Sequence, residues 1–250
     1  TYANRLHESF ADAETRLGET VRRVAERGGK LMIPAYAVGR VQELDYSLHR
    51  LYRAGQVPEV PIYVDSPLAV DITTVFRLHP EVFDRRERMI ETTNELFDFP
   101  LLRYVREVSE SKAIDANHGP AVIISASGMV ESGRILHHLA HGIGDHRNLV
   151  LFVGFQAEHT LGRRIQSGQE VVRILGQEYQ RRAEVETISG YSAHADRDEL
   201  RAWVRGLGGP IRRAFVVHGE PEGLEAMAKI LREEGVQDVR VPKHGESFDL

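Results

Sequence analysis

Lys30-Leu-Met-Ile-Pro-Ala-Tyr-Ala-Val-Gly-Arg40 reads as a strand, a turn and the first step of a helix. Lys30 to Tyr36 is a short apolar run, long enough for a buried strand and too short for a helix. Ala37 to Arg40 is the turn. Val41, Leu44, Leu48 and Leu51 then recur at helical spacing until Gly55. Upstream, Phe10, Ala13, Leu17, Val21 and Val24 mark an amphipathic helix over residues 8–27, which Gly28-Gly29 ends.

Downstream the unit repeats. Pro61 to Val64 is a strand, Asp65-Ser66-Pro67 its turn, and a helix follows with Pro in its first turn. Ala121 to Ile124 is a strand, Ser125-Ala-Ser127-Gly128-Met129 its turn, and Gly133-Arg134 leads a helix from Ile135 to Ile143. Leu149 to Val153 is a further strand, followed by Gly154-Phe-Gln156 and a segment with Gly162-Arg163-Arg164. Residues 84–118 read as helical pieces and loops. Strand, turn and helix thus alternate four times between residues 30 and 167, which predicts an α/β fold: a mostly parallel sheet with flanking helices. Turns after the strand C-termini line the usual ligand crevice of such a sheet. Here they carry Arg40, Ser66, Ser125, Ser127, Gly128 and Arg134, groups suited to backbone phosphate. The P-loop and dinucleotide-binding glycine patterns are absent.

Beyond residue 168 the style changes. Val171 to Ile174, Gly176 and Ala183 to Val185 read as a β-hairpin, and a subdomain boundary falls near residue 183. Glu186-Thr-Ile-Ser-Gly-Tyr-Ser-Ala-His-Ala-Asp196 closes a β-branched segment and turns into a helix, with Asp196 and Glu199 forming a capping box. His194 therefore sits beside a helix N-terminus, where anions are attracted. Arg213 to His218 reads as a second strand, ending in His-Gly-Glu before a helix from Pro221. Two histidines on neighbouring strand-end turns can converge on one point, and Ser192 lies close by in sequence. Val239 to Val241 closes the pattern as a strand.

The 250 residues are 42% hydrophobic and 28% charged, ordinary globular composition for one large or two small domains. No cysteine is present, which removes disulfides and thiolate metal ligands and suits a cytoplasmic protein. No apolar run approaches a bilayer span, so no membrane partner is expected. The formal net charge of −5 argues against nucleic-acid binding by bulk charge alone. The basic pairs Arg85-Arg86, Arg163-Arg164, Arg181-Arg182 and Arg212-Arg213 read as solvated faces. On a helical plot His137, His138 and His141 lie opposite Ile135, Leu136, Leu139 and Ile143, and read as a polar face rather than a metal site. The chain opens at Thr1 without an initiator Met, and so reads as a piece of something longer.

Several stretches together resemble the β-CASP nucleases of the metallo-β-lactamase superfamily, RNA-processing type. They are residues 30–40, Tyr63-Val-Asp-Ser-Pro-Leu-Ala69, Ile124 to Leu139, Phe152 to Arg164, Gly190-Tyr-Ser-Ala-His-Ala-Asp196 and Val217-His-Gly-Glu220. The resemblance implies a β-CASP domain over 1–183 and, over 184–250, the C-terminal part of a metallo-β-lactamase αββα domain. It implies a zinc-dependent ribonuclease acting on RNA phosphodiesters. His194 would be the catalytic acid beside the scissile phosphate. His218 would be a ligand of one of two zinc ions, with Glu220 behind it, and its presence tilts the substrate towards RNA over DNA. Ser125, Ser127, Gly128, Arg134, Ser192, Arg40 and Ser66 would contact RNA. The family's remaining metal ligands have no counterpart here, so this chain by itself is expected to bind zinc weakly or not at all and to be inactive. A homodimer is compatible with the family. Rival expectations are a DNA nuclease of the same superfamily, a non-catalytic RNA clamp or assembly subunit, and a plain sugar-phosphate or nucleotide-binding domain.

Overall fold

In a computed structural model, which describes residues 2–83 and 95–248, the chain forms two compact units, Ser9–Tyr191 and Thr1–Glu8 with Ser192–Leu250. The reading of 84–94, which includes Arg85-Arg86, lies outside the described residues.

The larger unit contains β1 (Lys30–Pro34), β2 (Ile62–Asp65), β3 (Leu102–Val105), β4 (Ala121–Ser125), β5 (Leu149–Phe152) and, last in sequence, a strand over Glu184–Thr187. These six form one parallel sheet, in the order β3-β2-β4-β1-β5 with Glu184–Thr187 at the far edge beside β5. Every residue of β4 and β5 is buried, as expected of central parallel strands covered on both faces. Because side chains alternate, the sheet separates two cores. Leu31, Ile33, Val122, Ile124, Leu149 and Leu151 pack on one face, against Leu17 and Val21 of α1 (Phe10–Glu26) and Leu44 and Leu48 of α2 (Arg40–Arg53). Met32, Ile123, Val150 and Phe152 face the other way. They pack against Ile114 of α4 (Val108–Ala116), Ile135 and Leu139 of α5 (Ile135–Gly142), and Leu161 and Ile165 of α6 (Leu161–Gln166). α3 (Pro67–Leu78) follows β2, with Ser66 as its N-cap accepting from the Ala69 N–H at 3.3 Å. Fully burying each large aliphatic side chain contributes roughly 1.5–3 kcal/mol.

The structure corrects two strand expectations. The hairpin pairs β6 (Val171–Ile174) with β7 (Gln177–Gln180), joined by Leu175 and Gly176 at φ +49° and +82°. Two consecutive positive φ angles make the tight turn whose twist matches the strands. β8 (Glu184–Thr187) leaves that hairpin and joins the parallel sheet through β5. For that reason residues 184–191 side with the larger unit, whereas the sequence expectation divides the chain near residue 183.

The smaller unit holds α7 (Arg197–Gly206), β9 (Arg213–Phe215), α8 (Pro221–Glu233) and β10 (Asp238–Arg240). β9 and β10 pair in parallel, and Val204, Val216, Ala228, Ile230 and Leu231 form the core together with Ala3. No described helix is long and apolar enough to cross a membrane.

Candidate active site

Asp196 builds the first turn of the smaller unit's site. Its Oδ1 accepts the N–H groups of Asp198 and Glu199 at 2.9 and 3.0 Å, and the Glu199 carboxylate returns to the Asp196 N–H at 2.9 Å. This is the capping box expected from the sequence. It fixes the N-terminus of α7 two residues after His194. Burial pushes the Asp196 carboxyl up, but hydrogen bonds from the Glu199, His7 and Asp198 N–H groups outweigh it and hold the carboxyl below its ordinary value. The His194 N–H donates to the Ser192 hydroxyl at 3.3 Å, and its imidazole lies exposed at the surface. Its ring stacks on Tyr2, with centroids 5.0 Å apart and planes 9° from parallel.

His218 occupies the second turn, between β9 and α8. It is exposed and adopts φ +61°, a left-handed conformation uncommon outside glycine. Glu220 occupies the N-cap position of α8, whose first residue is Pro221, without a side-chain capping bond. Both histidines therefore sit on exposed turns of the same unit, each leading into a helix. Tyr2 and His7, which nothing in the sequence pattern marks, pack on the same turn. No periodic signal marks a segment whose partners are nearly 190 positions away.

On the larger unit, the residues expected to grip phosphate turn out mostly to hold the fold. Ser125 is fully buried and its hydroxyl donates to the Asp65 carbonyl at 2.7 Å. Arg134 pairs with the Asp65 carboxylate at 2.6 Å and donates to the Arg106 carbonyl at 2.6 Å. Arg40 is nearly buried against Glu43, and Ser66 is the cap described above. Gly128 lies under the Tyr36 ring, where a Cβ would come within 2.9 Å of ring carbons, so only glycine allows this approach. Its carbonyl accepts from Gln156 at 2.8 Å. Ser127, half-buried, accepts the N–H groups of Glu131 and Ser132 at 3.1 and 3.3 Å and so shapes the loop.

The polar-face expectation fails at His138. His137 and His141 are exposed, but His138 is buried, with Nε2 2.8 Å from Asp65 and Nδ1 2.7 Å from Asp115. At about 100° per residue, His138 lies only about 60° from Ile135, inside the width of a core-facing stripe. The Ser111 hydroxyl also donates to Asp65. Burial disfavours the imidazolium, yet hydrogen bonds to Asp115 and Asp65 outweigh it and raise the His138 pKa. For Asp65, burial is likewise outweighed, by hydrogen bonds from His138, Ser111 and Arg134, and its pKa is lowered.

Two family domains match this chain: a Beta-Casp domain over residues 41–165 and a Zn-dependent metallo-hydrolase RNA specificity domain over residues 178–242. The chain belongs to the β-CASP family of the metallo-β-lactamase superfamily. Among its relatives is Ribonuclease TTHA0252 of Thermus thermophilus, 38% identical across 100% of this chain and 57% of that protein. Transcription termination factor FttA of Pyrococcus horikoshii is 35% identical, and that of Pyrococcus abyssi 33%, each across 99% of this chain and 39% of the factor. The chain thus spans from 39% to 57% of these relatives' lengths.

The family description names zinc, which takes about four donors in a protein site. Among the described residues no three His, Asp or Glu side chains gather as a metal-holding group, and there is no Cys. These residues do not by themselves fit a zinc ion, and the chemistry below runs through the chain's own groups.

Proposed function

We propose that this chain is part of a ribonuclease that hydrolyses RNA phosphodiesters in RNA processing or decay. The observation that carries the reading is the pair of exposed imidazoles, His194 and His218, on two helix-leading turns of the unit overlapping the RNA specificity domain. The relatives named a ribonuclease and a termination factor support it.

In this reading a phosphate enters beside the exposed turn that carries His194; the first N–H groups of α7 are already taken by Asp196 and the Arg5 carbonyl, so the imidazole and not the helix end meets the charge. The incoming charge favours protonation of His194. As a water molecule attacks phosphorus and gives up its proton to solvent, the imidazolium protonates the leaving 3′ oxygen while the P–O3′ bond breaks, acting as a general acid. His218 would supply one donor to a zinc ion if the whole protein holds one, and the ion would lower the pKa of a bound water. Ser127 and Ser192 are the remaining candidates for phosphate contact. Ser125, Ser66, Arg40 and Arg134 act behind them by holding the turns. The setting would be cytoplasmic.

The test uses the natural full-length protein. His218→Ala should lower bound zinc, measured by atomic emission, and abolish cleavage of a labelled single-stranded RNA. Unmodified zinc and cleavage in that variant would remove His218 from the metal site. The same assay with single-stranded DNA of equal sequence distinguishes the DNA-nuclease alternative, in which DNA would be cut at least as fast.

A further inference from the structure

We infer that Tyr2 is a positioning residue for His194, holding the imidazole in one orientation by a parallel stack. The inference rests on the reading of His194 as the proton donor. Tyr2 is 7% exposed, whereas His194 lies at the surface, so a fixed ring backs a ring on the solvent side.

The segment around Tyr2 is laced to the His194 turn on both sides. Tyr2 forms a parallel bridge with Asp196, and the Arg197 N–H donates to the Arg5 carbonyl at 3.0 Å. The His7 N–H donates to the Asp196 carboxylate at 3.0 Å. His7 Nε2 lies 2.9 Å from the His194 carbonyl oxygen. That oxygen can only accept, so Nε2 carries the hydrogen. Ala3, 1% exposed, anchors the same segment in the core of the smaller unit. Arg5 places its guanidinium 4.7 Å from the Tyr2 ring centre, a second contact on the supporting ring.

An exposed histidine has three staggered χ1 wells, and only one can aim the ring at a given oxygen. The stack selects one well. The loss on removing it should appear in turnover rather than in substrate binding, because remote RNA contacts remain. The Tyr2 hydroxyl plays no part in the stack, so Phe should serve as well as Tyr.

In the natural full-length protein, Tyr2→Leu should lower kcat for single-stranded RNA about 3- to 10-fold, the scale of one aromatic pair, with KM nearly unchanged. Tyr2→Phe should keep the wild-type rate. Histidine-ring NMR supplies the second readout: the His194 ring protons should be displaced by the Tyr2 ring current in wild type and Tyr2→Phe, and not in Tyr2→Leu. A Tyr2→Leu protein that has lost this displacement but cleaves at the wild-type rate overturns the inference. So does a wild-type spectrum without it. Wild-type cleavage by His194→Ala would instead overturn the role of His194 itself, leaving the stack as packing only.

Discussion

Replacing His194 by Ala will lower RNA cleavage by the natural full-length protein about 10²- to 10⁴-fold and leave its zinc content unchanged. The magnitude is that of a positioned general acid removed from a leaving group. The side chain is exposed, so the substitution opens no cavity and the fold should survive. The capping of α7 survives as well, because Asp196 and Glu199 make it without His194. Activity lost with zinc retained separates this role from that of His218, for which both fall together. The loss should shrink for a substrate whose leaving oxygen needs no proton, such as one with a nitrophenolate leaving group. An equal loss on that substrate would point to phosphate binding instead of proton donation.

Asp65→Asn will destabilise the larger unit by about 3–5 kcal/mol, the usual cost of removing one partner of a buried ion pair. Asp65 is completely buried and bonds Arg134, His138 and Ser111 at once. An amide cannot balance the guanidinium and the imidazolium that remain. Urea unfolding followed by far-UV circular dichroism gives the size. The network also sets a pH window. The His138 pKa is raised above 6.5, so its contribution is fully present below about 6.5 and is lost as pH rises through the folded value. The Asp65 pKa is lowered below 3.8, so its contribution is present above about 3.8 and is lost as pH falls through the folded value. Both are therefore complete between about 3.8 and 6.5, and the unfolding midpoint should flatten with pH in His138→Gln. An Asp65→Asn midpoint within error of wild type would show that the network is not what braces this sheet.

The central sheet was legible because four of its strands are short apolar runs followed by glycine- or serine-bearing turns and then by helical periodicity. β3 was not, because an edge strand of Leu102-Arg103-Tyr104-Val105 needs only partial burial and so carries little pattern. β8 was misread for a related reason: its exposed edge residues, Glu184 and Thr187, resemble a hairpin arm. The cap at Asp196 was legible, since a short polar side chain before a periodic run, with Glu three residues on, marks a helix start; Ser66, read as a phosphate contact, caps a helix too. The polar core was not. Asp45 sits beside Leu44 and one turn after Val41, on the buried face of α2; burial, opposed by the Tyr104 hydroxyl donating at 3.0 Å, pushes its carboxyl up to about 8. Spacing alone does not say whether a charged residue at such a position turns outward or finds a buried partner. Arg134 shows the same limit: a guanidinium at a helix start suits phosphate, but a buried aspartate sixty-nine positions earlier reaches it first.

The central claim is that His194 and His218 meet the same phosphodiester. It is tested most directly by titrating the natural full-length protein with a cleavage-resistant 2′-O-methyl oligoribonucleotide while following histidine-ring NMR signals. The His194 and His218 signals should move together along one saturation curve, while those of His137 and His141 stay in place. Movement of only one of the two, or of neither while the oligonucleotide binds, would contradict it.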